Sequence, residues 1–347
     1  MGDRIRHFDY FRGVAIVLIV AGHSYYPWGI DTFAERVVAN LITGSTALFV
    51  FISGFFFHRV YAPKFNLRAF LAKKARLVLL PYVLLSSLWL LQTLIRHGSP
   101  ATATGHPVIS KLLHYLLFLW QGTAEALTGY WYIPFIMLIF AASPLFLQYI
   151  QLSLKIQLTI FALLMVVSML VQRPLNNLSP IHSVIYFTPI YLLGITYSMH
   201  QNAIADAIKP KSLHLGLSTV ALSALQVLVT GSYGNYHKSA IFSYAGFDLN
   251  ILQKLLFIFF LLSILARLER RSIPLLGYLA SISFAIYFLH SWVLIALQRL
   301  SMERYLAFAP GPLIFLIKTA LILGVSIWLA ETLKTRFRQR SRYLIGY

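Results

Sequence analysis

Two residues in the first apolar stretch have the types and the spacing to do chemistry. Arg12 and His23 lie eleven residues apart in RHFDYFRGVAIVLIVAGHS, Arg6 to Ser24. At about 100° per residue, eleven residues make close to three helical turns, so both side chains fall on one stripe, roughly 16 Å apart along the axis. A cation at one end of such a stripe can hold an anion. An imidazole at the other is the side chain best suited to accept a proton near neutral pH. Ionisable groups inside apolar helices are costly to keep, which makes each a candidate functional group. The bland alternative for His23 is a hydrogen bond to a neighbouring helix.

A second set stands near the other end of the chain, in SISFAIYFLHSW, Ser281 to Trp292. Ser283, Tyr287 and His290 follow at i, i+4 and i+7, one face of a helix. His23 and His290 fall roughly 18 Å and 22 Å into their apolar runs when both are counted from the same side. Similar depth on separate helices favours a shared polar cavity over two unrelated capping contacts.

Positioning these groups takes a membrane protein. The chain has 347 residues, of which 59% are hydrophobic and 11% charged, against about 25% charged in soluble domains. The reading is an all-α polytopic protein forming one integral membrane domain over 1–347. Ten apolar spans are expected at 11–30, 41–60, 77–95, 131–150, 156–171, 183–200, 212–230, 251–267, 275–297 and 312–332. The first run has no small-residue cleavage site after it and is expected to be a retained span. With both termini in the cytoplasm, the inner segments carry 20 Lys and Arg residues and the outer segments 8, with Lys318 inside the last span. That asymmetry agrees with the positive-inside rule. It also makes topology a better explanation than nucleic acid for the net charge of +19. Cysteine is absent, which excludes disulfides, thiol nucleophiles and thiolate metal sites. Nothing in the sequence indicates a metal. HExxH, P-loop and GxSxG patterns are missing, and intramembrane acids are nearly absent, against a carboxylate-based proton-coupled transporter.

Several other features have a structural and a functional reading. Ser53-Gly54 in the second span is suited to close helix packing, or to letting a ligand approach the backbone. The basic stretch Arg59 to Arg76 reads as a loop, serving topology and anionic lipid or an anionic cytosolic ligand with several phosphates. The C-terminal run RFRQRSR is read as topology alone. Trp131-Tyr132 reads as an interfacial aromatic belt. Lys111 to Trp120 is expected to be an interfacial amphipathic helix after a loop, HGSPATATGHP. The aromatic, polar outer loop Gly231 to Asn250 suits membrane anchoring first and a sugar-like ligand second.

Four segments carry a family resemblance. They are Asp9-Tyr10-Phe11-Arg12-Gly13 with His23; Phe51-Ile52-Ser53-Gly54-Phe55; Lys73, Lys74 and Arg76 before Pro81-Tyr82; and Ser281 to Tyr287 with His290. Together they resemble the acyltransferase 3 family of integral membrane acyltransferases. The register before Pro81 departs from the family's pattern, and the segment around Tyr130 is given no role. Read to its last residue, the chain is expected to lack the extracytoplasmic esterase-like domain of some members.

The resemblance implies transfer of an acyl group, usually acetyl, from cytosolic acyl-CoA to a hydroxyl of a cell-surface or lipid-linked glycan, at a bacterial inner membrane. Acetyl-CoA is then a co-substrate rather than a resident cofactor. Arg12 and the 59–76 stretch, with Lys73, Lys74 and Arg76, would hold its phosphates, beside Ser53 and Gly54. His23 is expected to act as general base, Asp9 to orient Arg12, and Tyr287 or His290 to donate to the oxyanion. An acyl-histidine intermediate is the mechanistic alternative. The competing class is an exporter or flippase for a lipid-linked glycan or small anion. It would show two discontinuous spans at matching places in inverted halves.

Overall fold

The computed structural model describes residues 5–24, 30, 32–97, 107–122, 127–301 and 310–347. Among these the chain is helical almost throughout, with a single parallel pair of two-residue strands, β1 (Arg173–Pro174) and β2 (His237–Lys238). The long helices begin and end where local chemistry dictates. α1 (Arg6–Ser24) carries Asp9 in its first turn, where a negative charge favours the helix dipole. α2 (Phe33–Ile42) opens on a reciprocal capping box between Thr32 and Glu35. Gly44, at φ +78°, separates it from α3 (Thr46–Phe56); a Cβ there would strike the side chains of Asn250 and Asn235.

The basic stretch 59–76 is not a loop. It is a chain of helical segments: a π turn at Phe57–Tyr61, a 3₁₀ turn, α4 (Leu67–Lys74), and a second π turn at Ala75–Leu79 leading into α5 (Leu80–His97). Asn66 caps α4 by accepting from the Ala69 amide at 2.8 Å, and LRAFLAKK is built of good helix formers. The segment after α5 then forms α6 (Pro107–Gln121), a helix as expected, with Leu112, Leu113, Leu116 and Leu117 exposed along it. The first part of that segment, 98–106, lies outside the described residues, as does the end of the first expected span, 25–29.

After a 3₁₀ turn at Thr128–Trp131 come α7 (Tyr132–Ala141) and α8 (Ser143–Ile150), bent by 56° relative to each other. The rest follows as α9 (Leu154–Val171), α10 (Pro180–Met199), α11 (Gln201–Ile208), α12 (Ser212–Thr230), α13 (Leu249–Arg267), α14 (Pro274–Arg299) and α15 (Gly311–Phe337). Each of the ten expected spans therefore contains a helix. By length and composition, seven helical stretches among the described residues are apolar enough to cross a membrane, or eight if the bent α7–α8 pair is one span. α1 and α10 are not among them; both interrupt their apolar runs with polar residues.

Lipid tails are as apolar as leucine, so burying apolar surface does not by itself draw two helices together in a bilayer; close backbone packing does. The principal seams show this. α3 lies against α10 at Gly54 and Gly194. A Cβ on Gly54 would collide with the Tyr191 carbonyl, and one on Gly194 with the Phe51 carbonyl. α1 meets α14 in the same way, with Gly13 against the Leu276 backbone. Phe8 stacks on Phe55 beside this seam, ring centroids 3.6 Å apart, so α1 is fixed to α3 as well as to α14.

Candidate functional site

α1 and α14 run side by side in the same direction. His7 Nδ1 meets Glu269 at 2.8 Å, and the Tyr10 hydroxyl donates to the Arg271 carbonyl at 2.7 Å, just ahead of α14. One and a half turns farther along, Arg12 donates to the Ser283 hydroxyl at 3.0 Å. At the far end of α1, the rings of His23 and His290 face each other with centroids 5.2 Å apart. The paired stripes expected on these two helices are thus joined along their length.

Those stripes form one wall of a cavity of about 1120 Å³. Arg12, His23, Ser53, Ser283 and Tyr287 line it, and Lys74 projects into it. The Lys74 ammonium also lies over the Phe140 ring, 4.3 Å from its centroid, a contact worth most where water is scarce. Asp9 is half-buried one turn before Arg12 and interacts with it electrostatically.

Other expected members stand elsewhere. Lys73 on α4 and Arg76 on the π turn after it are exposed and off the cavity wall. Gly54 is buried in the α3–α10 seam, where its missing side chain is required by packing. His290 is buried beside the cavity, behind Gly129. Its Nδ1 faces the Tyr287 carbonyl at 2.6 Å and the Ile286 carbonyl at 3.2 Å. Carbonyls only accept, so Nδ1 carries the hydrogen, and Nε2 of the neutral ring is an acceptor. The Tyr287 hydroxyl donates to the Gly129 carbonyl at 2.7 Å. Both groups expected to donate to an oxyanion thus have their hydrogens engaged with backbone carbonyls.

The 128–132 segment, given no role from sequence, closes the histidine end. Thr128 Oγ1 lies 3.5 Å from His23 Nδ1, Gly129 packs on His290, and Tyr132 lines the cavity with its hydroxyl 3.4 Å from the Ser53 hydroxyl. Tyr130 braces the turn: its hydroxyl donates to the Phe288 carbonyl at 2.8 Å and accepts from Trp292 at 3.0 Å. A Trp-Tyr pair beside Pro134 looks the same in sequence whether it faces lipid or protein, and Gly129 was the one local sign of a close approach.

The C-terminal run is a second correction. Arg338 and Arg342, with Lys334, line the cavity at the end away from the histidines. The chain folds back after α15, so these residues stand on the cavity wall rather than on a trailing end.

A family model described as an acyltransferase domain matches residues 5–331. No curated protein and no solved structure matches the chain. The matched range takes in α1, α14 and α15 as far as Glu331, and therefore both histidines, Arg12 and most of the cavity wall. The chain belongs to the acyltransferase 3 family of membrane acyltransferases.

Proposed function

We propose that this protein is a bacterial plasma-membrane O-acyltransferase. It moves an acyl group, acetyl foremost, from cytosolic acyl-CoA to a hydroxyl of a cell-surface or lipid-linked glycan. The observation that carries the reading is one cavity with cations at one end, His23 backed by His290 at the other, and the Arg12–His23 stripe between them. A ten-span topology with both termini cytoplasmic puts the cationic end on the side where acyl-CoA is found.

In this reading Arg12 and Lys74 hold the diphosphate of the donor, with charge-assisted hydrogen bonds from the guanidinium. Asp9 and Ser283 keep Arg12 in place. The pantetheine arm lies along α1, and the roughly 16 Å from Arg12 to His23 is close to the reach of that arm. His23 takes the proton from the acceptor hydroxyl as its oxygen attacks the thioester carbonyl. The carbon–sulfur bond then breaks, and the imidazolium returns the proton to the departing thiolate. His290 packs beside the His23 ring and steadies it. The developing oxyanion is best served by Tyr132 or Ser53, whose hydroxyls lie on the cavity wall.

The exporter reading has one observation in its favour, the 56° break between α7 and α8. It calls for a matching pair of broken spans, and among the described residues one bent pair is found.

The test uses purified protein with radiolabelled acetyl-CoA, comparing wild type with Arg12→Ala and His23→Ala. The expected result is saturable donor binding that falls with Arg12→Ala. With His23→Ala, binding persists while transfer and slow thioester hydrolysis are lost. A His23→Ala protein with near-normal transfer rejects the base assignment. A labelled protein formed without acceptor identifies an acyl-histidine route instead.

A further inference from the structure

The segment that follows α15 is built into the cavity, and the mechanism above gives it no task. At Arg338 the backbone turns through φ 47° and ψ −123°, a conformation that costs energy for any residue with a side chain. The chain then doubles back. The Tyr347 hydroxyl donates to Glu331 at 2.8 Å and accepts from Lys334 Nζ at 2.6 Å. Ile345 is buried among Ala285, Leu289 and Ala330. The buried Ser341 hydroxyl donates to the Tyr347 carbonyl. Gly346, at φ +74°, passes so near the Phe284 ring that a Cβ would collide with it. A trailing basic end that served topology alone would need none of these contacts.

The fold-back brings Arg338 and Arg342 to the cavity wall, where Lys334 of α15 also stands. Five Lys and Arg side chains thus line the cavity, and Glu331 is the one acidic side chain among its described lining residues. Glu331 already accepts from the hydroxyls of Tyr278 and Tyr347. An acyl-CoA thioester carries phosphate at two places, a diphosphate in the chain and a monoester on the 3′ carbon of the ribose. The monoester is the phosphate farther from the thioester. Glu331 meets Tyr278, five residues ahead of Ser283 on α14, so Lys334 and Arg338, which follow Glu331, lie on the side of Arg12 away from the histidines. Guanidinium groups fit phosphate with two parallel hydrogen bonds.

Resting on the donor reading above, we infer that Lys334, Arg338 and Arg342 bind the ribose 3′-phosphate of the donor. The C-terminal segment then distinguishes a CoA thioester from one that lacks this phosphate.

The experiment compares acetyl-CoA with 3′-dephospho-acetyl-CoA on the purified full-length protein, measuring Kd by calorimetry and KM by transfer. Wild type is expected to prefer acetyl-CoA by at least about tenfold. A Lys334→Gln, Arg338→Gln, Arg342→Gln triple variant is expected to bind both donors alike, at the affinity wild type shows for the dephospho form. Arg338→Gly is the second variant. It relieves the backbone, so it should unfold at a higher temperature while losing part of the preference. Wild type that transfers acetyl from both donors with equal KM overturns the inference and leaves the donor reading standing. So does a triple variant that loses affinity for both donors in the same proportion, which would mark a diffuse field. A triple variant with an unchanged donor ratio but weaker association with phosphatidylglycerol nanodiscs assigns the cations to lipid and overturns it too. Wild type that binds and uses neither donor overturns the donor reading and the inference together.

Discussion

Two groups of charged side chains among the described residues are treated in opposite ways. Beneath the 231–250 loop, Asp248, Lys254 and Arg173 pack with Asn40, Tyr186 and Asn250 in a closed cluster. Asp248 caps α13 by accepting from the amides of Asn250 and Ile251, and takes the Tyr186 hydroxyl at 2.7 Å on its other oxygen. Lys254 donates to the Asn40 and Leu41 carbonyls at 2.8 Å each. These are carbonyls of the last turn of α2, where a cation is favoured by the helix dipole. Arg173 lies over the Trp131 ring, 4.8 Å from its centroid. The cavity along α1 and α14 is the reverse. Its polar groups face a hollow large enough for an extended ligand, and cations outnumber carboxylates. Buried polar groups that satisfy one another specify a fold. Groups that line a hollow with few partners of opposite sign are the ones that meet the donor in the proposed function.

Substitutions can break or sharpen this contrast. The largest effect is expected at the histidine end. His23→Ala should lower the transfer rate by roughly 10²–10⁴-fold, the range of a general base, with no change in thermal unfolding of the detergent-solubilised protein. A parallel loss of stability would make His23 a packing residue like those of the closed cluster. Next comes Asp248→Ala, which removes a helix cap and leaves the buried Tyr186 hydroxyl unpaired. The expected cost is about 3 kcal/mol of stability, read by denaturant unfolding, with the KM of the surviving fraction unchanged. A selective rise in donor KM would instead tie that cluster to the ligand.

Gly194→Ala is expected to cost about 1–3 kcal/mol by forcing α10 away from α3, with lower yield of folded protein and little change in KM. The smallest effect is expected for Ser283→Ala, which frees one hydrogen bond of Arg12. A few-fold rise in donor KM at constant rate is the expected outcome. An equal fall in rate for saturating donor would place Arg12 in the transition state rather than in ground-state binding.

The sequence reading was strongest where periodicity and cost act together. Arg12 and His23 could be put on one stripe because eleven residues close three turns, and keeping charge in an apolar run demands a reason. The pairing with the 283–290 face followed from matching depth, and the structure joins the two helices at Arg12–Ser283 and His23–His290. The reading was weakest for basic residues outside the spans. Lys73, Lys74 and Arg76 are equivalent as members of a positive loop, yet only Lys74 reaches the cavity, because α4 and its flanking π turns set which way each points. Arg338 and Arg342 were read as topology for the same reason. Positive charge near a membrane has one general explanation, and that explanation hides any particular one.

The sequence by itself determined that the chain is a helical membrane protein and that α1 carries a cation and an imidazole on one face. It also placed a second histidine at similar depth. Local periodicity and the energetic penalty on intramembrane charge suffice for those conclusions. Only the tertiary structure decided that the 128–132 turn closes the histidine end, and that Gly54 serves a helix seam. It alone showed that the hydrogens of Tyr287 and His290 are engaged and that the C-terminus folds back to complete the rim. Each of these depends on which residues far apart in the chain come to share a contact. A glycine, a tyrosine hydroxyl or an arginine has the same local preferences whatever stands opposite, so the partner had to be seen.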